Sequence, residues 1–183
     1  MAVHGRLVPY QGTAPTVSDR AFVASTAMVI GDVEIADQAS IWYGCVLRGD
    51  VNGIRIGPRS NLQDGTIVHA SPAKSQVVVE ADVLVGHGAL LHGCRLERYC
   101  SVGARATVLN DCVVETGALV AAGAVLTPGV RVPAGEVWGG VPARRLRRLS
   151  ESERNEFRSQ TAHYVILAEA HDAALAGNAE VGS

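Results

Sequence analysis

Hydrophobic residues recur along this chain at steps of six. From Val23 the ladder climbs through Val29, Ile35, Ile41 and Leu47. After an insertion it resumes at Ile56, Leu62 and Val68, and after a second insertion at Val79, Val85 and Leu91. One residue then drops out, and the ladder continues Leu96, Val102, Val108, Val114, Val120, Leu126, Val132. Four residues after most rungs stands a small residue or a valine, such as Ala27, Val33, Ala39, Cys45, Val51, Ser60, Thr66, Ala89 and Ala106. No α-helix uses a period of six, because its turns fall at 3.6 residues. Short strands broken by regular turns do, and hexapeptide repeats are a signature of the parallel β-helix. Three hexapeptides then close one triangular coil, and successive coils stack at ~4.8 Å.

The pattern divides the chain. Residues 1–16 read as a lead-in strand, 17–136 as the β-helix and 137–149 as an irregular turn-off. Ser150-Glu151-Ser152-Glu153 has the form of a capping box. A helix is expected over 150–176, with Phe157, Thr161, Tyr164, Val165 and Ala168 on one stripe. Residues 177–183 read as a loose tail.

Composition agrees with a narrow core. The 183 residues are 48% hydrophobic but only 4% aromatic, and a slim prism has no room for rings. That apolar content, with a net charge of −2, excludes a disordered chain. It also argues against nucleic-acid binding by bulk charge, so Arg144-Arg145-Leu146-Arg147-Arg148 reads as a solvated collar. No run approaches the ~18 apolar residues of a membrane span. No secretory signal opens the sequence, and the four cysteines lack metal-binding spacing. A soluble cytoplasmic protein with reduced thiols is expected. Cys45, Cys100 and Cys112 occupy the small slot of the repeat, while Cys94 falls outside it, beside His92, where a metal role stays open.

Counting rungs places the chemistry. Leu91 is three rungs beyond Val68, hence on the same wall one coil higher, so His69 and His92 should stack and point outward. Arg48 stands one coil below His69 by the same count. His87 and Asp64 share an offset from Val85 and Leu62 and belong to a different wall, with Gln63 beside them. In a threefold ring of prisms, His69 and His92 would meet His87 of the partner subunit. Three histidines with an open fourth position form a catalytic rather than structural zinc arrangement. Such a zinc brings the pKa of bound water towards ~7. His4, His163 and His171 are expected to be exposed.

Three stretches carry a family likeness: Ile41-Trp42-Tyr43-Gly44-Cys45-Val46-Leu47-Arg48-Gly49-Asp50, Asn61-Leu62-Gln63-Asp64-Gly65-Thr66-Ile67-Val68-His69, and Val85-Gly86-His87-Gly88-Ala89-Leu90-Leu91-His92-Gly93-Cys94. Over nearly its whole length the chain resembles the gamma-class carbonic anhydrases. The resemblance implies a left-handed β-helix, although most parallel crossovers are right-handed. It implies a homotrimer that hydrates CO2 to bicarbonate, with Zn2+ shared between subunits and Fe2+ or Co2+ as possible substitutes. His69, His87 and His92 match its metal ligands, and Gln63 matches the residue that hydrogen-bonds the metal-bound water. Arg48 and Asp50 match a pair that ties subunits together, with Asp64 in the same network. Tyr164 sits where relatives place a tyrosine from the C-terminal helix near the site, which makes it a candidate catalytic residue beside Gln63.

Two departures stand out. Val51 replaces a glutamate after Asp50, and the loop 70–76 has no carboxylate to shuttle protons. Slow, buffer-dependent or absent turnover is left open by that loss. Two other readings remain at this point. One is a hexapeptide acyltransferase, suggested by the turn Gly140-Val141-Pro142-Ala143-Arg144. The other is a metal-binding scaffold without catalysis.

Overall fold

Every rung of the ladder is buried, none more than 3% exposed. The computed structural model describes residues 1, 3–71 and 75–180, with side chains through 177. It is a left-handed parallel β-solenoid of about seven turns, followed by one long helix. On the first wall, Val23, Ile41, Leu62, Val85, Val102, Val120 and Trp138 lie in register. The second wall stacks Leu7, Val29, Leu47, Val68, Leu91, Val108 and Leu126. The third stacks Val17, Ile35, Ile56, Val79, Leu96, Val114 and Val132. One continuous core of small and aliphatic residues fills the prism.

From Ile35 onward the six-residue corners follow one rule. The third residue after a rung adopts a left-handed backbone, as at Gln38, Arg59, Asp82, Tyr99, Gly44, Gly65 and Gly88, with φ between 56° and 70°. That conformation turns the chain through the corner between two short strands. Where one residue is missing, between Leu91 and Leu96, the left-handed position moves to Gly93. Cys94 then stands two residues before its next rung, as Cys45, Cys100 and Cys112 do before theirs. It is buried in the core and its thiol pKa is pushed up by that burial, so the metal role left open for Cys94 falls away.

Two strands, Met28–Ile35 and Val46–Ile56, run unbroken past the edge between the second and third walls. They approach so closely there that a Cβ on Gly31 would lie 2.4 Å from the Gly49 carbonyl, and one on Gly49 2.4 Å from that of Asp32. Only glycines tolerate this contact, which fixes the backbone on either side of Arg48 and Asp50.

The ends differ from expectation. The lead-in 1–16 is already wound into the solenoid, since Val3 bridges Val23 and Arg6–Val8 pairs with Met28–Ile30. The segment 137–149 is no irregular turn-off. Glu136–Gly140 and Ala143–Arg148 form an antiparallel hairpin through a cis Val141-Pro142 bond, and Trp138 takes a further rung. The helix spans Glu151–Glu180, so residues 177–180 are helical rather than loose, while 181–183 lie outside the described residues. Its start is the capping box: Glu153 N–H donates to Ser150 Oγ at 3.3 Å, and Ser150 N–H donates back to the Glu153 carboxylate at 2.8 Å.

The helix lies along the outside of the first wall. Phe22, Ala24, Trp42 and Ala168 form a second core there, flanked by Tyr43, Tyr164, Leu167 and Leu175. The rings excluded from the prism gather under the helix instead.

Candidate metal centre

On the outer surface of the second wall, Arg48, His69 and His92 are successive register partners, as the rung count requires. The His69 and His92 rings have centroids 5.1 Å apart, with Nδ1 of His69 3.1 Å from Nε2 of His92. Each ring is held from its far side. Nε2 of His69 lies 3.1 Å from Oδ1 of Asp50, and Nδ1 of His92 meets Oδ1 of Asn110. These acceptors assign the tautomers, because a neutral imidazole has one N–H and each ring spends it outward. The two nitrogens that face each other therefore both carry lone pairs.

Two lone pairs at 3.1 Å repel unless a cation or proton lies between them. Ligand nitrogens at 2.0–2.1 Å on a tetrahedral zinc stand about 3.3 Å apart, so the spacing suits a shared metal. Ligating histidines characteristically donate their other N–H to a carboxylate or carbonyl, and both rings here do. The residues present fit the ion.

Asp50 is the pivot of this group. Partial desolvation works against its carboxylate, but hydrogen bonds from Arg48 and His69 outweigh it and hold the carboxyl below its usual range. It stays an acceptor, and His69 stays oriented.

His87 stands elsewhere, at the corner between the first and second walls. Its Nδ1 lies 2.9 Å from Oδ2 of Asp64, which sits directly beneath it, leaving Nε2 as the free acceptor. Both side chains are about half exposed. Among the described residues of one chain, no three His, Cys, Asp or Glu side chains form a metal-holding group. His69 and His92 are brought together; His87 is oriented but apart.

Gln63 is buried on the first wall, its Nε2 donating to Oδ1 of Asn61 at 3.4 Å. Asn61 escaped the sequence reading. Its Nδ2 is buried with no hydrogen-bond partner among the described residues, and the only sequence signal is an amide one residue before a rung. Asn110 escaped as well, because it falls two residues after Val108 rather than in the histidine column. Tyr164 is half-buried with its ring 5.6 Å from Trp42. Burial, aided by the Asp64 charge, raises its phenol pKa above the usual value.

Two histidines expected to be exposed are not. His171 Nδ1 lies 3.0 Å from the Tyr43 hydroxyl and the ring packs edge-on against Trp42, while His4 Nε2 lies 2.8 Å from Asp172. Docking of the helix creates both contacts. His163 is exposed. Val51, beside Asp50, is 43% exposed, and residues 72–74 of the loop without a carboxylate lie outside the described residues.

No family model matches the chain. It is 45% identical over 177 residues to gamma carbonic anhydrase 1, mitochondrial, of Arabidopsis thaliana, covering 93% of this chain and 64% of that protein. It is 38% identical over 153 residues to a probable carbonic anhydrase of Methanocaldococcus jannaschii, covering 84% of this chain and 96% of the relative. Among solved structures, a hexapeptide transferase family protein from Anaplasma phagocytophilum superposes with a TM-score of 0.86 at 42% identity, covering 90% of this chain and 96% of that one. A coiled hexapeptide ladder, a pair of facing histidines and relatives aligned along nearly the whole length lead to one assignment: the chain belongs to the gamma carbonic anhydrase family of hexapeptide-repeat proteins.

Proposed function

We propose that this chain is a metal-dependent carbonic anhydrase that hydrates CO2 to bicarbonate at a site completed between copies of a homotrimer. The facing lone pairs of His69 and His92 carry the reading. His87 of the partner subunit supplies the third nitrogen, which explains why its Nδ1 is already held by Asp64. Zn2+ suits three imidazoles, and Fe2+ or Co2+ suits them too. The metal, when bound, makes water acidic enough to ionise near neutral pH.

The chain's own residues do the rest. Asp50, Asn110 and Asp64 lock the three tautomers so that each histidine presents a lone pair. Arg48 keeps Asp50 ionised. Gln63 supplies an amide to hold the reacting water, and Asn61 holds Gln63. Hydration of CO2 releases one proton per turnover. With no carboxylate in the loop 70–76 to carry it off, that proton passes to buffer. The four free, buried cysteines fit a reducing compartment, which we take to be the cytoplasm.

Stopped-flow CO2 hydration on protein loaded separately with zinc and, anaerobically, with iron(II) tests this. Turnover should scale with bound metal and rise with added imidazole, and sedimentation should give a trimer. A metal-loaded trimer with no rate above buffer would leave a scaffold. Retention of coenzyme A without metal would favour a transferase, as the hexapeptide transferase neighbour invites.

A further inference from the structure

The edge between the third and first walls carries Tyr99, Gly117 and Gly135 one above another, each the third residue after its rung. Tyr99 has a ring and the glycines have no side chain, so a hollow opens above the ring. A Cβ added at Gly117 would meet nothing within 4 Å. The first turns of the C-terminal helix close the other side with Arg154, Phe157 and Arg158, and the hollow measures about 220 Å³.

Its charge is unbalanced. The Arg158 guanidinium lies 4.8 Å from the centre of the Tyr99 ring, and neither Arg154 nor Arg158 has a carboxylate partner among the described residues. Arg98 also stacks on Tyr99 but is paired with Asp82 at 2.9 Å. Glu97 and Glu115, two residues before Tyr99 and Gly117 respectively, are already engaged. Glu97 accepts from the backbone and hydroxyl of Thr116, and Glu115 from Arg131 and the Ala134 N–H. What remains is two guanidiniums one helical turn apart beside two flat rings. Guanidinium forks match carboxylate and phosphate oxygens, and aromatic faces take stacked rings.

We propose that this hollow binds a flat-ringed organic anion, its phosphate or carboxylate held by Arg154 and Arg158 and its ring set against Phe157 beside the edge of Tyr99. The site is separate from the histidines and does not rest on the metal reading.

Titration calorimetry on the full-length protein, with and without metal, would use four probes: AMP, benzoate, inorganic phosphate and adenosine. One ringed anion should bind at one site per chain at least tenfold more tightly than phosphate or adenosine. Preference for AMP would identify a nucleotide, and preference for benzoate an aryl carboxylate. The double variant Arg154→Gln/Arg158→Gln should weaken binding at least tenfold. Tyr99→Asn, which suits the left-handed backbone, removes the ring on which Arg158 rests and should also weaken binding. Thr116→Glu, on the exposed rim, should repel the anion without touching the core. Unfolding midpoints identify any variant that does not fold. The proposal is overturned if neither ringed anion binds more tightly than about 1 mM. It is equally overturned if phosphate binds as well as AMP and benzoate, or if the folded arginine and rim variants bind unchanged.

Discussion

Two edges of the prism follow different rules. From the first wall to the second, each of six successive steps between rungs is six residues long, from Val23–Val29 to Val120–Leu126. From the second wall to the third, starting at Val29, the steps are six, nine, eleven, five, six and six residues. The three irregular steps follow Leu47, Val68 and Leu91, the rungs that precede Arg48, His69 and His92. Regular edges hold the register, because each corner returns one side chain to the core. The irregular edge lets the backbone leave the prism and rejoin it, as Val77–Val79 does against Ile54–Ile56. Asp50 can swing sideways to His69 only because the strand carrying it runs past the corner. The molecule makes its chemistry by breaking its repeat along one line.

An extra glycine on each kind of edge would test this contrast most severely. Inserted after Gly123, on a regular edge, it shifts every later rung by one and turns buried side chains outward. The expected loss is several kcal/mol, comparable with the stability of a whole domain. Inserted after Ser71, within the eleven-residue step, it should cost less than about 0.5 kcal/mol, as surface changes do. Chemical denaturation reads both. Equal losses would abolish the distinction between edges.

A smaller effect is expected from Asp50→Asn, which keeps the shape but removes the charged acceptor for His69. Metal affinity should fall about 10- to 100-fold, with little change in unfolding midpoint. Competition with a chelator measures it, and unchanged affinity would detach Asp50 from the site.

The smallest belongs to a regular edge. Asp82 is buried at the corner between the third and first walls, where burial opposes its charge but Arg59 and Arg98 outweigh it and lower its pKa. A carboxyl depressed in this way contributes stability above its unfolded pKa of ~3.9 and loses it as pH falls through the lower folded value. Asp82→Asn should cost about 1 kcal/mol at pH 7 and flatten the decline in unfolding midpoint below pH 4. An unchanged acid profile would show the arginines to be idle.

The solenoid was legible because its period belongs to the chain itself: rungs, strand pairing and the His69–His92 juxtaposition follow from counting. Contacts made across the fold were not. Nothing near His171 announces Tyr43, 128 residues away, or ties His4 to Asp172. The hairpin was hidden because Trp138, a large ring on a rung, looks like the end of a pattern built on small residues. Cys94 was misplaced by counting forward from Leu91 across a shortened corner, where counting back from Leu96 finds it in the common slot. Asn110 shares no offset with the histidines, and Asn61 shows only as an amide one residue before a rung.

The hairpin at the C-terminal end has a consequence of its own. A stack of parallel coils is a template for its own continuation, since the last coil offers the next one a full set of unpaired amides and carbonyls. Here Ala143–Arg148 runs back against Glu136–Gly140 and uses up that row on the first wall, presenting Arg144, Arg145, Arg147 and Arg148 in place of a further apolar rung. Another copy arriving end-on meets a strand of opposite direction that carries four arginines, of which Glu136 and Glu153 pair with two. A fold whose repetition could run on as a fibre is thereby given a last coil.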